Sequence, residues 1–255
     1  LIIGAAGVGN AYVILGGLAN LPVARIEHTV TSYSYLTLNS ILGSSSRGGL
    51  VATKARDVDR DGYADLLITA PLWTSTSGSS IVELAPNPPT GGTIGISSTA
   101  DPDYAQIAAS TCTNCYYGMG ASAGRFDADL EVDLLTSTNA VQSGVTPSAM
   151  NGGSAWLLYD LSSTAMNAAT VMETEADEIF RPESASTQFG RYSTNIGDFD
   201  RDGLEDIAIA ADSYNSSDGR LYVISGAALA AWAGSYADGI VITATAGSGK
   251  YLGAG

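Results

Sequence analysis

The sequence has few of the residues on which catalysis and nucleic-acid binding depend. It contains one histidine, His28, and only 11 Lys and Arg against 26 Asp and Glu, which gives a formal net charge of −15. A serine nucleophile needs an imidazole base, and His28 lies in an alternating segment typical of a surface strand. The acidic balance disfavours contact with nucleic-acid phosphates and anionic membranes. We therefore predict that the protein is not an enzyme and binds no nucleic acid.

Long apolar runs and helix signals are also scarce. No run of 18 apolar residues is present, so no membrane span is predicted. Residues 226–232 are the most helix-like stretch and predict one or two turns between two strands. Short apolar segments bounded by Gly, Pro and Asp occur throughout the chain and predict β-strands. The sequence therefore indicates an all-β fold.

The two cysteines, Cys112 and Cys115, are separated by two residues. A zinc site needs four ligands, and a thioredoxin-type motif needs a βαβ context that the sequence lacks. A local disulfide is predicted, with free thiols, and metal or redox chemistry, as the alternatives. An oxidised pair would agree with an extracellular or cell-surface location.

What the sequence does have is a nine-residue acidic string, D-x-D-x-D-G-x-x-D, which occurs twice. The first loop spans residues 57–65 and the last loop spans residues 198–206, and an apolar, β-prone segment follows each. Four carboxylates in nine residues repel one another unless a cation lies among them, and Ca²⁺ is the cation that prefers oxygen ligands. We predict two Ca²⁺ sites, with solvated acidic turns as the alternative.

The predicted ligands are the side chains at positions one, three, five and nine and the backbone carbonyl at position seven. They are Asp57, Asp59, Asp61, Asp65 and the Tyr63 carbonyl in the first loop, and Asp198, Asp200, Asp202, Asp206 and the Leu204 carbonyl in the last. Gly62 and Gly203 are predicted to provide a left-handed turn. The loops are not EF-hands, because their twelfth positions are Ile68 and Ile209 rather than Glu.

A third, degenerate copy of the string lies between these two. This middle loop, residues 125–133, has Arg125 at the first ligand position and Leu130 in place of the turn glycine. A guanidinium at position one could neutralise Asp127, Asp129 and Asp133 without a metal. We expect this loop to bind no ion. The three loops begin at residues 57, 125 and 198, so the chain repeats about every 70 residues.

Other elements recur in the same frame. An aromatic-Gly or Gly-Gly pair precedes each loop, at Gly48-Gly49, Tyr117-Gly118 and Phe189-Gly190, and Leu252-Gly253 follows near the C-terminus. Thr69-Ala70-Pro71 and Gly4-Ala5-Ala6 end two of the apolar segments. These residues resemble the FG-GAP repeat of integrin α-subunits and many secreted bacterial proteins, and the two intact loops are similar to the Ca²⁺ loops of that family.

The resemblance implies a β-propeller in which each repeat is one four-stranded blade and the ion lies between the first and second strands. The expected blades are approximately residues 1–46, 47–116, 117–188 and 189–255. The end blades are expected to be incomplete. The chain is therefore expected to be part of a larger propeller, or a subunit whose end blades are completed by neighbouring copies.

The function predicted from the sequence is an extracellular, calcium-stabilised, non-catalytic propeller used in adhesion, ligand binding or as a surface scaffold. A protein or carbohydrate ligand and head-to-tail self-association are the expected partners. The alternatives are a structural subunit of an extracellular filament and the propeller portion of a larger secreted hydrolase or lectin. Tyrosines in loop-like segments, such as Tyr116 and Tyr117, would either form a contact surface or pack between blades.

Overall fold

The computed structural model describes residues 2–5, 10–14, 35–40, 51–71, 79–83, 92–96, 104–108, 116–139, 152–161, 170–171, 175–184, 186–232, 239–243 and 252–253. His28 and the predicted Cys112–Cys115 disulfide lie outside these residues. In the described part of the chain, most of the regular secondary structure is β-strand.

Its strands, numbered in chain order, form four sheets. Sheet one contains β1 (Ile2–Ala5), β2 (Asn10–Ile14), β3 (Tyr35–Ser40) and β7 (Gly92–Ile96). Sheet two contains β4 (Ala52–Arg56), β5 (Asp65–Ala70), β6 (Ser79–Glu83), β8 (Tyr104–Ala108) and β12 (Thr170–Val171). Sheet three contains β9 (Gly120–Gly124), β10 (Val132–Thr138), β11 (Ser154–Leu161) and β13 (Glu178–Phe180). Sheet four contains β14 (Phe189–Gly197), β15 (Asp206–Ala211), β16 (Arg220–Ile224) and β17 (Ile240–Thr243).

Sheets two to four share one topology. In each, four strands that follow one another in the sheet pair antiparallel, as in β4, β5, β6 and β8. The first strands of successive sheets pack together, β4 against β9 and β9 against β14. Repeated antiparallel four-stranded sheets packed in this way are the blades of a β-propeller. The all-β, four-stranded-blade fold predicted from the sequence is confirmed.

The second strand of each of these sheets is buried along its whole length. Every residue of β5, β10 and β15 is buried. A strand covered on both faces needs no polar face, which explains why β5 and β15 read after their first Asp as mostly apolar runs rather than alternating ones. Each buried strand begins at the end of an acidic loop.

Apolar clusters fill the spaces between neighbouring sheets. Between sheets two and three, Leu67 packs with Tyr117 and Trp156, whose ring centroids lie 4.5 Å apart. Between sheets three and four, Phe126 and Phe189 are fully buried, and Phe189 meets the Tyr222 ring at 5.3 Å. Of the two readings of Tyr117, packing between blades is therefore confirmed and a solvent-facing contact surface is wrong.

Connections between the third and fourth strands reach back to the preceding sheet. Strand β7 pairs in parallel with β3, and β12 pairs in parallel with β8. In sheet four, Trp232 follows the helix and its ring lies 4.9 Å from that of Phe180 in β13. These contacts cover the outer edges of the preceding sheets, where unpaired backbone groups would otherwise invite association.

Two short helical segments are described, α1 (Tyr214–Ser217) and α2 (Gly226–Ala230). Segment α1 is a single turn with left-handed residues, whereas α2 is capped by Ser225, whose hydroxyl accepts from the Ala228 N–H. The predicted short helix between the last two strands is thus confirmed. Among the described helical segments, neither is long and apolar enough to cross a membrane.

Candidate metal sites

Each acidic loop connects the first and second strands of a sheet. The first loop joins β4 to β5, the middle loop joins β9 to β10, and the last loop joins β14 to β15. All three loops therefore occupy equivalent positions in successive blades, which is where the repeat predicts them.

The carboxylate at position nine closes each loop. Asp65, Asp133 and Asp206 are buried at the start of the second strand. Each Oδ2 accepts a hydrogen bond from the position-two backbone N–H, at 2.7 Å in the first loop and 2.6 Å in the other two. This structural role is additional to the ligand role that the sequence predicts for Asp65 and Asp206.

The first loop is a series of turns held by its own carboxylates. Asp57 Oδ2 accepts from the Gly62 N–H at 3.0 Å, and Asp59 Oδ1 accepts from the Asp61 N–H at 3.1 Å. Asp61 Oδ1 accepts from the Tyr63 N–H at 2.8 Å. Gly62 has a φ of +93°, so the left-handed turn predicted there is confirmed.

The last loop repeats this conformation. Asp198 Oδ2 accepts from the Gly203 N–H at 3.2 Å, and Asp200 Oδ1 accepts from the Asp202 N–H at 3.1 Å. Gly203 has a φ of +95°, and Arg201 at position four has a φ of +67°, close to the +62° of its first-loop counterpart. Two segments far apart in the sequence have therefore folded into the same loop.

Both loops gather carboxylates closely enough to share a cation. One oxygen from each of Asp57, Asp59 and Asp61 lies within 4.8 Å of the others. In the last loop the same holds for one oxygen each of Asp198, Asp200 and Asp206. Hard carboxylate oxygens in this arrangement suit Ca²⁺.

One oxygen atom of the first loop gives a further indication that the loop fits a cation. Asp57 Oδ1 is buried and has no hydrogen-bond partner. A buried, unpaired carboxylate oxygen costs free energy unless a cation or a donor compensates it. The residues present in the first loop therefore fit a bound cation.

Not every predicted ligand lies in these clusters. Asp65 is outside the first cluster and Asp202 is outside the last. Asp202 Oδ1 accepts from the Leu204 N–H at 2.8 Å, and its Oδ2 accepts from the Ala227 N–H of α2 at 3.2 Å. Asp206 Oδ1 likewise accepts from the Gly226 N–H at 2.9 Å. The last loop thus also caps a helix, which the sequence did not reveal, and the full ligand sets stay predictions.

The middle loop has the same closing hydrogen bond but a different turn. None of the described residues 125–133 has a positive φ. Among the described ion pairs, none joins Arg125 to Asp127, Asp129 or Asp133, so the predicted neutralisation by Arg125 is wrong. With Leu130 in place of glycine, the loop lacks the left-handed turn found in the other two.

Two carboxyl groups of the middle-loop cluster have raised pKa values. Burial raises the pKa of Asp133 to about 7, and the charges of Asp127 and Asp129 add to the rise against the backbone N–H groups of Phe126 and Asp160. A hydrogen bond to the Asp129 carboxylate raises the pKa of Asp160. Asp160 lies in β11 and joins this cluster from outside the loop, which no motif in the sequence indicates.

We predict that the metal-free protein loses stability as the pH rises from about 4 to about 7. The unfolded chain releases the Asp133 proton near pH 4, whereas the folded chain holds it to about pH 7. Stability from this group is therefore complete below about pH 4 and lost by about pH 8, a change on the order of 1–4 kcal/mol.

Urea unfolding of metal-free protein at about pH 5 and about pH 8 measures this change. Asp133→Asn mimics the protonated carboxyl, so the variant should show a much smaller difference between the two pH values. An equal difference in the variant would contradict the assignment to Asp133. The Glu205 carboxylate has the opposite effect on stability, which it loses as the pH falls. Hydrogen bonds from Asn195, Arg125 and Arg56 outweigh its burial and lower its pKa.

Comparisons with known proteins agree with this geometry. The family model described as FG-GAP repeat matches residues 49–82 and 190–224. Each match contains one intact acidic loop and its flanking strands, and the degenerate middle loop lies outside both. A search of curated proteins found no match. The chain therefore contains two FG-GAP repeats, at residues 49–82 and 190–224, and these support an integrin α-like propeller family.

Proposed function

We propose that this chain is an extracellular, calcium-stabilised, non-catalytic propeller region that acts in adhesion, ligand binding or as a surface scaffold. The observation that carries the calcium part is the buried Asp57 Oδ1, which has no hydrogen-bond partner within a cluster of three carboxylates. The recurrence of the same loop conformation in the last loop supports a common purpose for the two.

The proposed ligands are the two predicted sets, Asp57, Asp59, Asp61, Tyr63 and Asp65, and Asp198, Asp200, Asp202, Leu204 and Asp206. Calcium, when bound, supplies positive charge that offsets the repulsion among the four closely spaced carboxylates. Position-nine carboxylates join each loop to the buried second strand, so a filled loop would hold the first two strands of its blade in register.

A non-catalytic role is supported by the chemistry that the sequence offers. The chain has a single imidazole, and the closely grouped carboxylates belong to loops that fit an ion rather than a substrate. We propose that Cys112 and Cys115 form a disulfide, which with calcium points to an extracellular location. The proposed blades are approximately residues 1–46, 47–116, 117–188 and 189–255, and the proposed partner is a protein or a carbohydrate.

Calcium titration of the metal-free chain tests the number and place of the sites. Wild type should bind two equivalents. Asp59→Asn and Asp200→Asn should each bind one, because an amide keeps the hydrogen bond to the N–H two residues on but removes the charge. Asp127→Asn is the matched control, since Asp127 makes the same hydrogen bond in the middle loop. This variant should still bind two.

Isothermal calorimetry gives both the stoichiometry and the affinities. Three equivalents in wild type, falling to two in Asp127→Asn, would contradict the assignment of the middle loop. No heat and no bound metal in any of the four proteins would overturn the proposed calcium function.

A further inference from the structure

We propose that Arg56 and Glu205 are a positioning pair that couples ion binding in the first loop to ion binding in the last loop. This inference rests on the calcium function proposed above. It concerns residues that are not themselves proposed ligands. The two loops begin 141 positions apart in the chain, at residues 57 and 198, yet one side-chain contact joins them.

The contact joins residues that are adjacent to ligands. Arg56 immediately precedes Asp57 and has a φ of +64°, so its backbone conformation is part of the loop entry. Its Nη2 forms an ion pair with Glu205 Oε1. Glu205 immediately precedes Asp206, the carboxylate that closes the last loop. A shift at either loop is therefore transmitted to the residue beside the other loop's ligand.

Glu205 is fixed on its other side by two further donors. Its Oε2 accepts from Asn195 Nδ2 at 2.7 Å and from the Arg125 N–H at 3.0 Å. The Glu205 N–H in turn donates to the Arg125 carbonyl at 3.1 Å. The backbone of the middle loop at Arg125 therefore also holds Glu205 in place beside Arg56. The ion pair is only partly exposed, with side-chain exposures of 36% for Arg56 and 24% for Glu205.

A second ion pair joins the first loop to the middle loop. Arg60 at position four forms an ion pair with Glu131 of the middle loop. Between the two ion pairs lies a cavity of about 310 Å³ whose lining includes Arg56, Arg60 and Arg125. The Arg60 pair does not reach the last loop. It therefore provides a comparison in which a first-loop ion pair is lost while the connection between the two calcium loops is kept.

The sign of the coupling follows from what each ion must order. A metal-free loop with four mutually repelling carboxylates has more conformational freedom than a filled one. The first ion therefore also orders Arg56, Glu205 and the entry to the other loop. The second ion then orders less, which makes the coupling positive. Loading one loop also removes negative charge near the other, which opposes the coupling, and about 0.15 M salt weakens this electrostatic effect. We expect filling one site to raise the affinity of the other about fivefold.

Calorimetric titration with CaCl₂ at about 0.15 M salt measures the coupling. Wild type gives the overall association constant for filling both sites. Asp59→Asn and Asp200→Asn each keep one site, and each gives the association constant of that site alone. The coupling is the overall constant divided by the product of the two single-site constants. The ratio should be about five. By thermodynamic reciprocity the same factor must describe the effect of either site on the other.

The same three measurements in a Glu205→Gln background should give a ratio of about one. Arg56→Gln removes the pair from its other end, so it should give the same result even if Glu205→Gln disturbs folding. Glu131→Gln is the matched control. It breaks the Arg60 pair, and its ratio should stay at about five.

The outcomes separate this inference from the one on which it rests. Two filled sites with a ratio of one or less in wild type would overturn the coupling and leave the calcium function intact. A ratio that stays near five in both Glu205→Gln and Arg56→Gln would overturn the assignment to this pair. Absence of calcium binding in every protein would overturn the proposed function itself.

Discussion

Calcium at about 100 times its dissociation constant is expected to raise the free energy of unfolding by about 2.7 kcal/mol per filled site, and by roughly 5 kcal/mol for two. The physical reason is that the folded loops gather carboxylates within 4.8 Å, whereas the unfolded chain does not. A chain of this size gains about 2–4 °C in melting temperature per kcal/mol, so the expected rise is roughly 10–20 °C.

Thermal unfolding with excess calcium and with excess chelator measures this difference. The double variant Asp59→Asn/Asp200→Asn should lose nearly all of the rise, and each single variant should lose about half. Asp127→Asn should keep it, because the middle loop is expected to hold no ion. A melting curve of wild type that is unchanged by chelator would mean that the acidic loops contribute nothing to stability through metal.

Most of the fold could be predicted from the repeat in the sequence. The spacing of the three loops and the apolar runs after them predicted first and second strands joined by a loop, and the structure has that arrangement at all three places. Repetition is informative because one blade's strands must pack against the next, so the same positions are apolar in each copy. The position of the short helix α2 was predicted for a simpler reason, its run of alanines between two strands.

Features that depend on neighbouring sheets could not be predicted. Position two of the three acidic loops is occupied by Val58, Phe126 and Phe199, and the sequence predicts the same environment for all three. The structure buries Val58 and Phe126 in the clusters between sheets, whereas Phe199 is 66% exposed. The Glu205 contact with Arg56 is likewise invisible in the sequence, because nothing local pairs residues in different blades.

The middle loop shows a further limit of reading residues by charge alone. Arg125 occupies a ligand position, so the sequence suggested that it would neutralise the loop. Arg125 instead lines the cavity beside the first loop, and Asp160 from β11 completes the carboxylate cluster.

Gly190→Ala is expected to destabilise the protein more than any other glycine-to-alanine change in β14. Gly190 has a φ of +79°, and an added Cβ would lie 2.5 Å from the Ser154 carbonyl oxygen and 2.9 Å from that of Thr138. Both oxygens belong to the backbone of sheet three, so neither can move without disturbing a neighbouring strand. The left-handed conformation and the clash together should cost roughly 3–5 kcal/mol.

Gly197→Ala is the matched control at the other end of the same strand. Gly197 has a φ of +72°, but an added Cβ would meet nothing within 4 Å, so only the conformational cost of about 1–2 kcal/mol should remain. Urea unfolding of the two variants isolates the clash as their difference. Equal losses would mean that sheets three and four do not approach each other this closely at Gly190. Gly190 follows the buried Phe189. A larger loss at Gly190 would show that the two blades pack so closely there that no side chain fits between them.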